Sequence, residues 1–118
     1  MDLRNVFKNS DAARHLAPGE TIFSEGDVGD VMYVVLEGEV DVQVGGTVVD
    51  VIGAGSIVGE MALIDPHECR SATAVARTAC RLAALDQKRF LFMVQQTPFF
   101  SLEVMRILAA RLRHMNPK

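Results

Sequence analysis

The chain has 118 residues, of which 49% are hydrophobic and 23% charged, so we expect one globular domain over residues 1–118 with a single core. Its net charge of −3 argues against a general nucleic-acid binder, and no apolar run approaches the ~20 residues of a membrane helix. A signal peptide is not expected, and with only two cysteines, Cys69 and Cys80, a reducing cytoplasm is the expected location.

The first 86 residues predict a short helix followed by a β region. Leu3, Val6 and Phe7 share one face of a helix over residues 2–8. From about residue 12 to 86, short β-prone runs alternate with turn signals, which is typical of a jelly roll. The clearest predicted strands are Thr21–Phe23, Val31–Leu36, Val40–Val44, Thr47–Ile52, Ser71–Ala76 and Cys80–Asp86, with a two-residue hairpin at Gly45–Gly46.

The last third of the chain predicts two helices, at about residues 87–96 and 98–114. Thr97 suits a helix N-cap and Pro98 a first helical residue. An apolar stripe follows at helical spacing, which fits a core face, a dimer seam or a lid: Leu102, Met105, Leu108 or Ala109, Leu112 and Met115. Residues 1–80 carry 5 basic and 13 acidic side chains, and residues 81–118 carry 7 and 2. The basic end is a solvated helix face or a docking surface for an acidic partner.

The segment Val58–Ala74 carries the most chemical information. Gly59 allows a ligand to approach the backbone closely, and a helical turn then runs over Glu60–Ile64. The free N–H groups of a helix N-terminus attract anions. Arg70, which we expect to open a strand, offers a planar fork of donors for phosphate oxygens, and the hydroxyl of Ser71 adds another donor. Together these features predict a phosphate site.

A carboxylate at position 60 repels phosphate, so Glu60 needs a different partner. A sugar hydroxyl would donate a hydrogen bond to it, and a ribose 2′-hydroxyl beside a phosphate would use both the acid and the base. Loss of such a bond should cost roughly 1.5–3 kcal/mol. The alternative is a plain surface ion pair between Glu60 and Arg70, which would be worth little.

These residues resemble the phosphate-binding cassette of the cyclic-nucleotide-binding domain family. The match is Gly59-Glu60-x-Ala62-Leu63 followed by Arg70-Ser71-Ala72. A second family signature runs from Glu25-Gly26-Asp27-x-Gly29-Asp30 through Met32-Tyr33-Val34-Val35 to Glu37-Gly38-Glu39-Val40. That family includes the bacterial catabolite activator protein, the regulatory subunits of protein kinase A and cyclic-nucleotide-gated channels. The resemblance covers about residues 10–115.

The resemblance implies a mainly β fold and a set of binding residues. The family fold is an eight-stranded jelly roll, or double-stranded β-helix, with a short N-terminal helix, a short cassette helix and two C-terminal helices. It assigns the ribose 2′-hydroxyl to Glu60 and the exocyclic phosphate oxygens to Arg70. The implied ligand-binding set is Gly59, Glu60, Met61, Ala62, Arg70, Ser71 and Ala72, and the candidates for a lid over the base are Met105, Leu108, Arg111 and Leu112.

The ligand implied is cAMP or cGMP, with cAMP favoured, since Ser71 permits both nucleotides and Thr73 lies near. Val58 departs from the phenylalanine that often precedes the cassette glycine, which should alter core packing more than binding. The glycines at 26, 29, 38, 53 and 55 are interpreted as turn residues without a ligand role.

The expected function is therefore a sensor that relays occupancy through its C-terminal helices to an effector protein, with a homodimer through the last helix as a further option. The competing hypothesis is a vestigial jelly roll that mediates protein contacts without a ligand. An enzyme is not expected, because the chain offers neither a metal set nor a nucleophile–base pair. No cofactor or metal is expected, since His67 and Cys69 are too few ligands for structural zinc. The chain stops at Lys118, so direct DNA binding is not expected either.

Overall fold

Eight short strands form two four-stranded antiparallel sheets in the computed structural model, which describes residues 2–7, 13–65 and 68–115. One sheet has the order β1-β8-β3-β6 and the other β2-β7-β4-β5. The predicted jelly roll with flanking helices is confirmed. The strands are β1 (Arg14–Leu16), β2 (Thr21–Phe23), β3 (Val31–Glu37), β4 (Val40–Val44), β5 (Thr47–Ile52), β6 (Ile57–Val58), β7 (Thr73–Ala76) and β8 (Cys80–Asp86).

The strand β3 of the first sheet is buried on both faces. In β3, Tyr33 and Val35 point into the space between the sheets, whereas Met32, Val34 and Leu36 point outward against the helices. Because successive side chains of a strand face opposite ways, a strand covered on both sides is apolar throughout. This explains why the sequence of β3 shows a continuous hydrophobic run and no alternation.

Three helices cover the outer face of the first sheet: α1 (Leu3–Phe7), α3 (Gln87–Gln96) and α4 (Phe99–Met115). Phe100 is fully buried among them, and its ring meets the rings of Phe7 and Phe90 edge-to-face at centroid distances of 6.0 and 5.3 Å. Aromatic pairs of this kind stabilise a core beyond the area that they bury. The helix α4 is thereby fixed to the sheet at its N-terminal end. Within the described residues no helix meets the length and hydropathy needed to cross a membrane.

The face of α4 that packs against the protein differs from the stripe seen in the sequence. Phe100 and Val104 are buried, whereas Leu102, Met105 and Leu112 are exposed. The side chain of Met115 lies outside the described residues. Two faces of α4 carry apolar residues, and spacing alone does not distinguish the face that meets the protein from the face that meets solvent.

The predicted hairpin at Gly45–Gly46 is confirmed, whereas α4 begins at Phe99, one residue after the predicted start at Pro98, and Thr97 is the C-cap of α3. Gly45 and Gly46 both have positive φ, 58° and 82°, as a tight hairpin between β4 and β5 requires. Asp86 caps α3, since its carboxylate accepts a hydrogen bond of 2.8 Å from the backbone N–H of Arg89.

The expected strand start at Arg70 is wrong. The strand β7 begins at Thr73, so Arg70 and Ser71 lie in the preceding loop. The backbone of Arg70 pairs instead with another loop: its N–H donates to the carbonyl of Asp27 at 2.7 Å, and its carbonyl accepts from the N–H of Gly26 at 2.8 Å. The cassette helix α2 is Met61–Ile64, one residue shorter than predicted, with Glu60 at its N-cap.

Candidate functional site

A cavity beside α2 brings the predicted ligand-binding residues together. These residues form two groups, Gly59–Ala62 and Arg70–Ala72, whose first residues are eleven positions apart in the sequence. All seven residues line the cavity. Its other walls come from β2, from β4 to β6, from the loop before Arg70 and from α4. The complete lining is Phe23, Val42, Asp50, Ile52, Val58, Gly59, Glu60, Met61, Ala62, Glu68, Cys69, Arg70, Ser71, Ala72 and Arg111.

Arg70 is the one charged residue that the described part of the chain buries. Its side chain is nine-tenths buried. Nη1 donates a hydrogen bond of 2.9 Å to the carbonyl of Gly59, and Nη2 donates one of 2.8 Å to the carbonyl of Val31. The guanidinium lies over the ring of Phe23, 4.1 Å from its centroid. A cation over an aromatic face is attracted by the ring quadrupole, so this side chain is held on three sides.

Two glycines make room for that guanidinium. A Cβ at Gly59, which has φ of 78°, would lie 2.7 Å from Arg70 Nη1 and 3.0 Å from the ring of Phe23. A Cβ at Gly29 would overlap the same guanidinium from the other side. Gly29 is therefore more than a turn residue: the loop Ser24–Asp30 holds the Arg70 backbone and leaves space for its side chain. The two sequence signatures meet at this one arginine.

Burial makes the charge of Arg70 costly. Desolvation lowers the pKa of its guanidinium, and the nearby negative charges of Asp30, Asp27 and Glu60 offset part of this effect. An arginine in a protein nevertheless stays protonated. Among the residues that the structure describes, Arg70 forms no ion pair, and its Nε is buried without a hydrogen-bond partner. The site thus contains a buried cation that lacks a counter-ion.

Glu60 is bound by an arginine from the last helix. Arg111 Nη1 donates to Glu60 Oε1 at 2.8 Å, and both side chains are mostly buried. Arg111 Nη2 also donates to the hydroxyl of Ser56 at 3.1 Å and to the carbonyl of Ile57. The expected alternative, an ion pair between Glu60 and Arg70, is not formed.

The four lid candidates separate in space. Arg111 lines the cavity. Leu108 packs into the core between the helices and the first sheet. Met105 and Leu112 are 56% and 61% exposed and do not line the cavity.

Two residues that hold Arg70 in position, Phe23 and Gly29, were not predicted as site residues. Phe23 ends a short strand with no motif around it, and its contact with Arg70 depends on tertiary packing. Gly29 could have been found by its place in the second family signature. Thr73, considered for nucleotide choice, has its hydroxyl oxygen engaged as the acceptor for the backbone N–H of Glu25 at 2.9 Å.

No group of three or more His, Cys, Asp or Glu side chains is placed to bind a metal in residues 2–7, 13–65 and 68–115. His67 lies outside the described residues. Cys69 and Cys80 are both free thiols, the first exposed and the second buried. Burial raises the pKa of the Cys80 thiol above its ordinary value.

Comparison with known proteins places this site in a family. Residues 13–97 match the family model described as "Cyclic nucleotide-binding domain". The chain belongs to the cyclic nucleotide-binding domain family, as the sequence resemblance predicted, and its fold is that of a regulatory domain of this family.

Individual relatives bear different nucleotide names. The chain is 37% identical over 106 residues to the cyclic AMP receptor protein of Thermus thermophilus, covering 85% of this chain and 49% of the relative. It is 35% identical over 85 residues to a cGMP-dependent protein kinase of Plasmodium berghei, covering 72% of this chain and 10% of the relative. The crystal structure of the Thermus thermophilus catabolite activator protein superposes with a TM-score of 0.74 at 33% identity, over 88% of this chain and 51% of that one. The chain thus spans about half or less of these relatives.

Proposed function

We propose that this protein binds a 3′,5′-cyclic nucleotide in the cavity beside α2 and acts as a regulatory module without catalytic activity. Arg70 binds the cyclic phosphate, Glu60 accepts a hydrogen bond from the ribose 2′-hydroxyl, and the backbone around Gly59, Met61, Ala62, Ser71 and Ala72 completes the cradle. Family membership supports the ligand class, because the matched family model is described as a cyclic nucleotide-binding domain.

The observation that carries the proposal is the buried guanidinium of Arg70. A charge that leaves water without a counter-ion costs several kcal/mol. In this fold the charge faces a cavity, and Nε remains a donor without a partner among the described residues. A phosphodiester supplies the missing negative charge and acceptor oxygens in one group. A degenerate jelly roll would have no reason to retain such a buried cation, since an apolar residue would fill the same space at lower cost.

We further propose that cAMP is preferred over cGMP. The support is Ser71, which lines the cavity, and a relative that is 37% identical and whose name refers to cyclic AMP. Thr73 does not line the cavity, and its hydroxyl accepts a hydrogen bond from the backbone N–H of Glu25, so it is not placed to meet the guanine amino group. Direct titration of both nucleotides decides the preference.

The output surface proposed here is the pair of C-terminal helices. Arg111 contacts Glu60 directly, so occupancy of the cavity is transmitted to α4 without an intervening element. Basic residues on these helices, such as Lys88 and Arg106, suit an acidic effector protein. No direct contact with nucleic acid is proposed for the residues of this chain.

A homodimer through α4 forms part of the proposal. Leu102, Met105 and Leu112 are exposed on one side of the helix at spacings of three and seven. Such a stripe pairs with a second copy in a short helical seam. Sedimentation equilibrium should show a concentration-dependent dimer that Met105→Lys abolishes. A monomer at all concentrations would contradict this part and leave nucleotide binding untouched.

Isothermal titration calorimetry with cAMP and with cGMP tests the proposed function. Wild-type protein should bind with a stoichiometry of one, cAMP more tightly, and Arg70→Ala should abolish the heat of binding. Arg77→Ala is the matched control, because Arg77 is an exposed arginine paired with Asp41 outside the cavity. Its affinity should equal that of the wild type.

The folding of each variant is checked by circular dichroism before titration. If neither nucleotide produces heat with folded wild-type protein, the proposed function is wrong, and the vestigial module that mediates protein contacts becomes the better account. Binding that survives Arg70→Ala in full would contradict the assigned role of Arg70.

A further inference from the structure

The contact between Arg111 and Glu60 joins the last helix to the cassette across 51 residues of sequence. We propose that Arg111 is a positioning residue for ribose: it orients the Glu60 carboxylate and offsets its charge, so that Glu60 discriminates for a 2′-hydroxyl beside an anionic phosphate. This inference rests on the proposed function and deepens it. It also replaces the expected role of Arg111 as a contact to the base.

The geometry leaves Glu60 able to accept a second hydrogen bond. Arg111 engages Oε1 alone, at 2.8 Å, and an ionised carboxylate has two oxygens with about four acceptor positions. A ribose hydroxyl can therefore donate to Oε2 while the ion pair persists. Arg111 fixes the rotamer of Glu60, because it removes the freedom of a side chain that lacks a capping hydrogen bond to its own helix.

Arg111 can serve as a fixed point because it is itself held in place. Its Nη2 donates to the hydroxyl of Ser56, which precedes β6, at 3.1 Å and to the carbonyl of Ile57, the first residue of β6. The side chains of Arg111 and Glu60 are 23% and 13% exposed. Exposed ion pairs contribute little because solvent screens them, whereas a pair buried to this extent keeps most of its attraction.

The charge of Arg111 also resolves the conflict between an acid and an anionic ligand. A lone Glu60 would repel the phosphodiester and would cancel the attraction of Arg70. With Arg111 bound to it, Glu60 belongs to a neutral pair, so its negative charge is offset beside the Arg70 guanidinium.

The experiment compares cAMP with 2′-deoxy-cAMP on wild-type protein, Arg111→Gln and Glu60→Gln, by calorimetry. Wild-type protein should bind the deoxy nucleotide roughly ten- to a hundredfold more weakly, as expected for loss of a hydrogen bond to a charged group. In Arg111→Gln this ratio should fall to within about threefold of unity, since an unheld carboxylate no longer favours the hydroxyl. Arg113→Ala, an exposed arginine two residues further along α4, should keep the wild-type ratio.

Arg111→Lys provides a second variant should Arg111→Gln not fold. Lysine retains the charge but lacks the planar fork that reaches Glu60, Ser56 and Ile57 together, so the ratio should fall while affinity for cAMP stays closer to that of the wild type. If both variants lose affinity for cAMP and for 2′-deoxy-cAMP by the same factor, Arg111 only connects α4 to β6 and does not position Glu60. Tighter cAMP binding would show that Arg111 competes with ribose. Either result overturns the inference while the proposed function stands, whereas wild-type protein that binds neither nucleotide overturns both.

Discussion

Replacing Gly29 by alanine tests whether Arg70 is lodged where the structure places it. Gly29 does not have a left-handed φ, so alanine is compatible with its backbone, yet the added Cβ would overlap the Arg70 guanidinium. The guanidinium must then move away. That displacement breaks the hydrogen bond of 2.8 Å to the carbonyl of Val31 and disturbs the contact with the ring of Phe23.

The expected cost follows from those two contacts. A hydrogen bond to a charged group contributes roughly 1.5–3 kcal/mol. A desolvated cation–aromatic contact contributes about 2 kcal/mol, and the displaced guanidinium keeps part of this contact with the ring of Phe23. We therefore expect Gly29→Ala to lower the free energy of unfolding by about 2–4 kcal/mol. At about 4 °C per kcal/mol, the value between those for smaller and larger domains, Tm should fall by roughly 8–16 °C.

Urea and thermal unfolding of Gly29→Ala measure this cost, with Gly53→Ala as the matched control. Gly53 also lacks a left-handed φ, and a Cβ there would meet no atom within 4 Å. Gly53→Ala should be neutral or stabilising by about 0.4–1 kcal/mol. In an Arg70→Ala background the Gly29→Ala substitution should cost almost nothing, because the clash is gone. Equal stability of the two glycine variants, or an unchanged cost without Arg70, would refute the placement of the guanidinium.

Three further outcomes are expected elsewhere in the molecule. Phe100→Ala, which empties the contact between the helices and the sheet, should cost about 3–5 kcal/mol in urea unfolding, whereas Phe99→Ala, at a position 68% exposed, should stay within about 0.5 kcal/mol of the wild type. Iodoacetamide should modify exposed Cys69 and leave buried Cys80 intact, and cAMP should slow the reaction because Cys69 lines the cavity; rapid modification of both thiols in folded protein would contradict the burial of Cys80. Burial raises the folded-state pKa of the Cys80 thiol, so unfolding releases a proton above about pH 8.5. The free energy of unfolding should therefore fall as pH rises. Cys80→Ala should weaken that pH dependence in unfolding curves measured between about pH 7 and 10.

The parts of the fold that could be predicted from sequence are those with local causes. The Gly45–Gly46 hairpin and the break at Thr97–Pro98 depend on the conformations of a few neighbouring residues. The start of β7 did not follow from local pattern. Arg70 and Ser71 look β-compatible in sequence, but the backbone of Arg70 pairs with residues 26 and 27, and no local signal reports that partner.

The site could be predicted in composition but not in arrangement. The cassette motif identified seven residues that the structure places around one cavity. Phe23 and the function of Gly29 depend on contacts across the roll, which spacing does not encode. Arg111 was predicted as a candidate for the lid over the base, because the sequence does not show that its side chain contacts Glu60. Met105 and Leu112 belong to a stripe that looks equally suited to core, seam and lid until the packing of α4 is known.

The central claim is that a cyclic nucleotide binds at the buried guanidinium of Arg70, and NMR of protein with 15N-labelled arginine tests it most directly. Arg70 Nε has no hydrogen-bond partner among the described residues, so the Nε–Hε signal that disappears in Arg70→Lys should shift strongly downfield when cAMP is added, as that arginine gains phosphate acceptors. Nucleotide binding that leaves this signal unmoved would contradict the account, as would the absence of any arginine signal that responds to cAMP or cGMP.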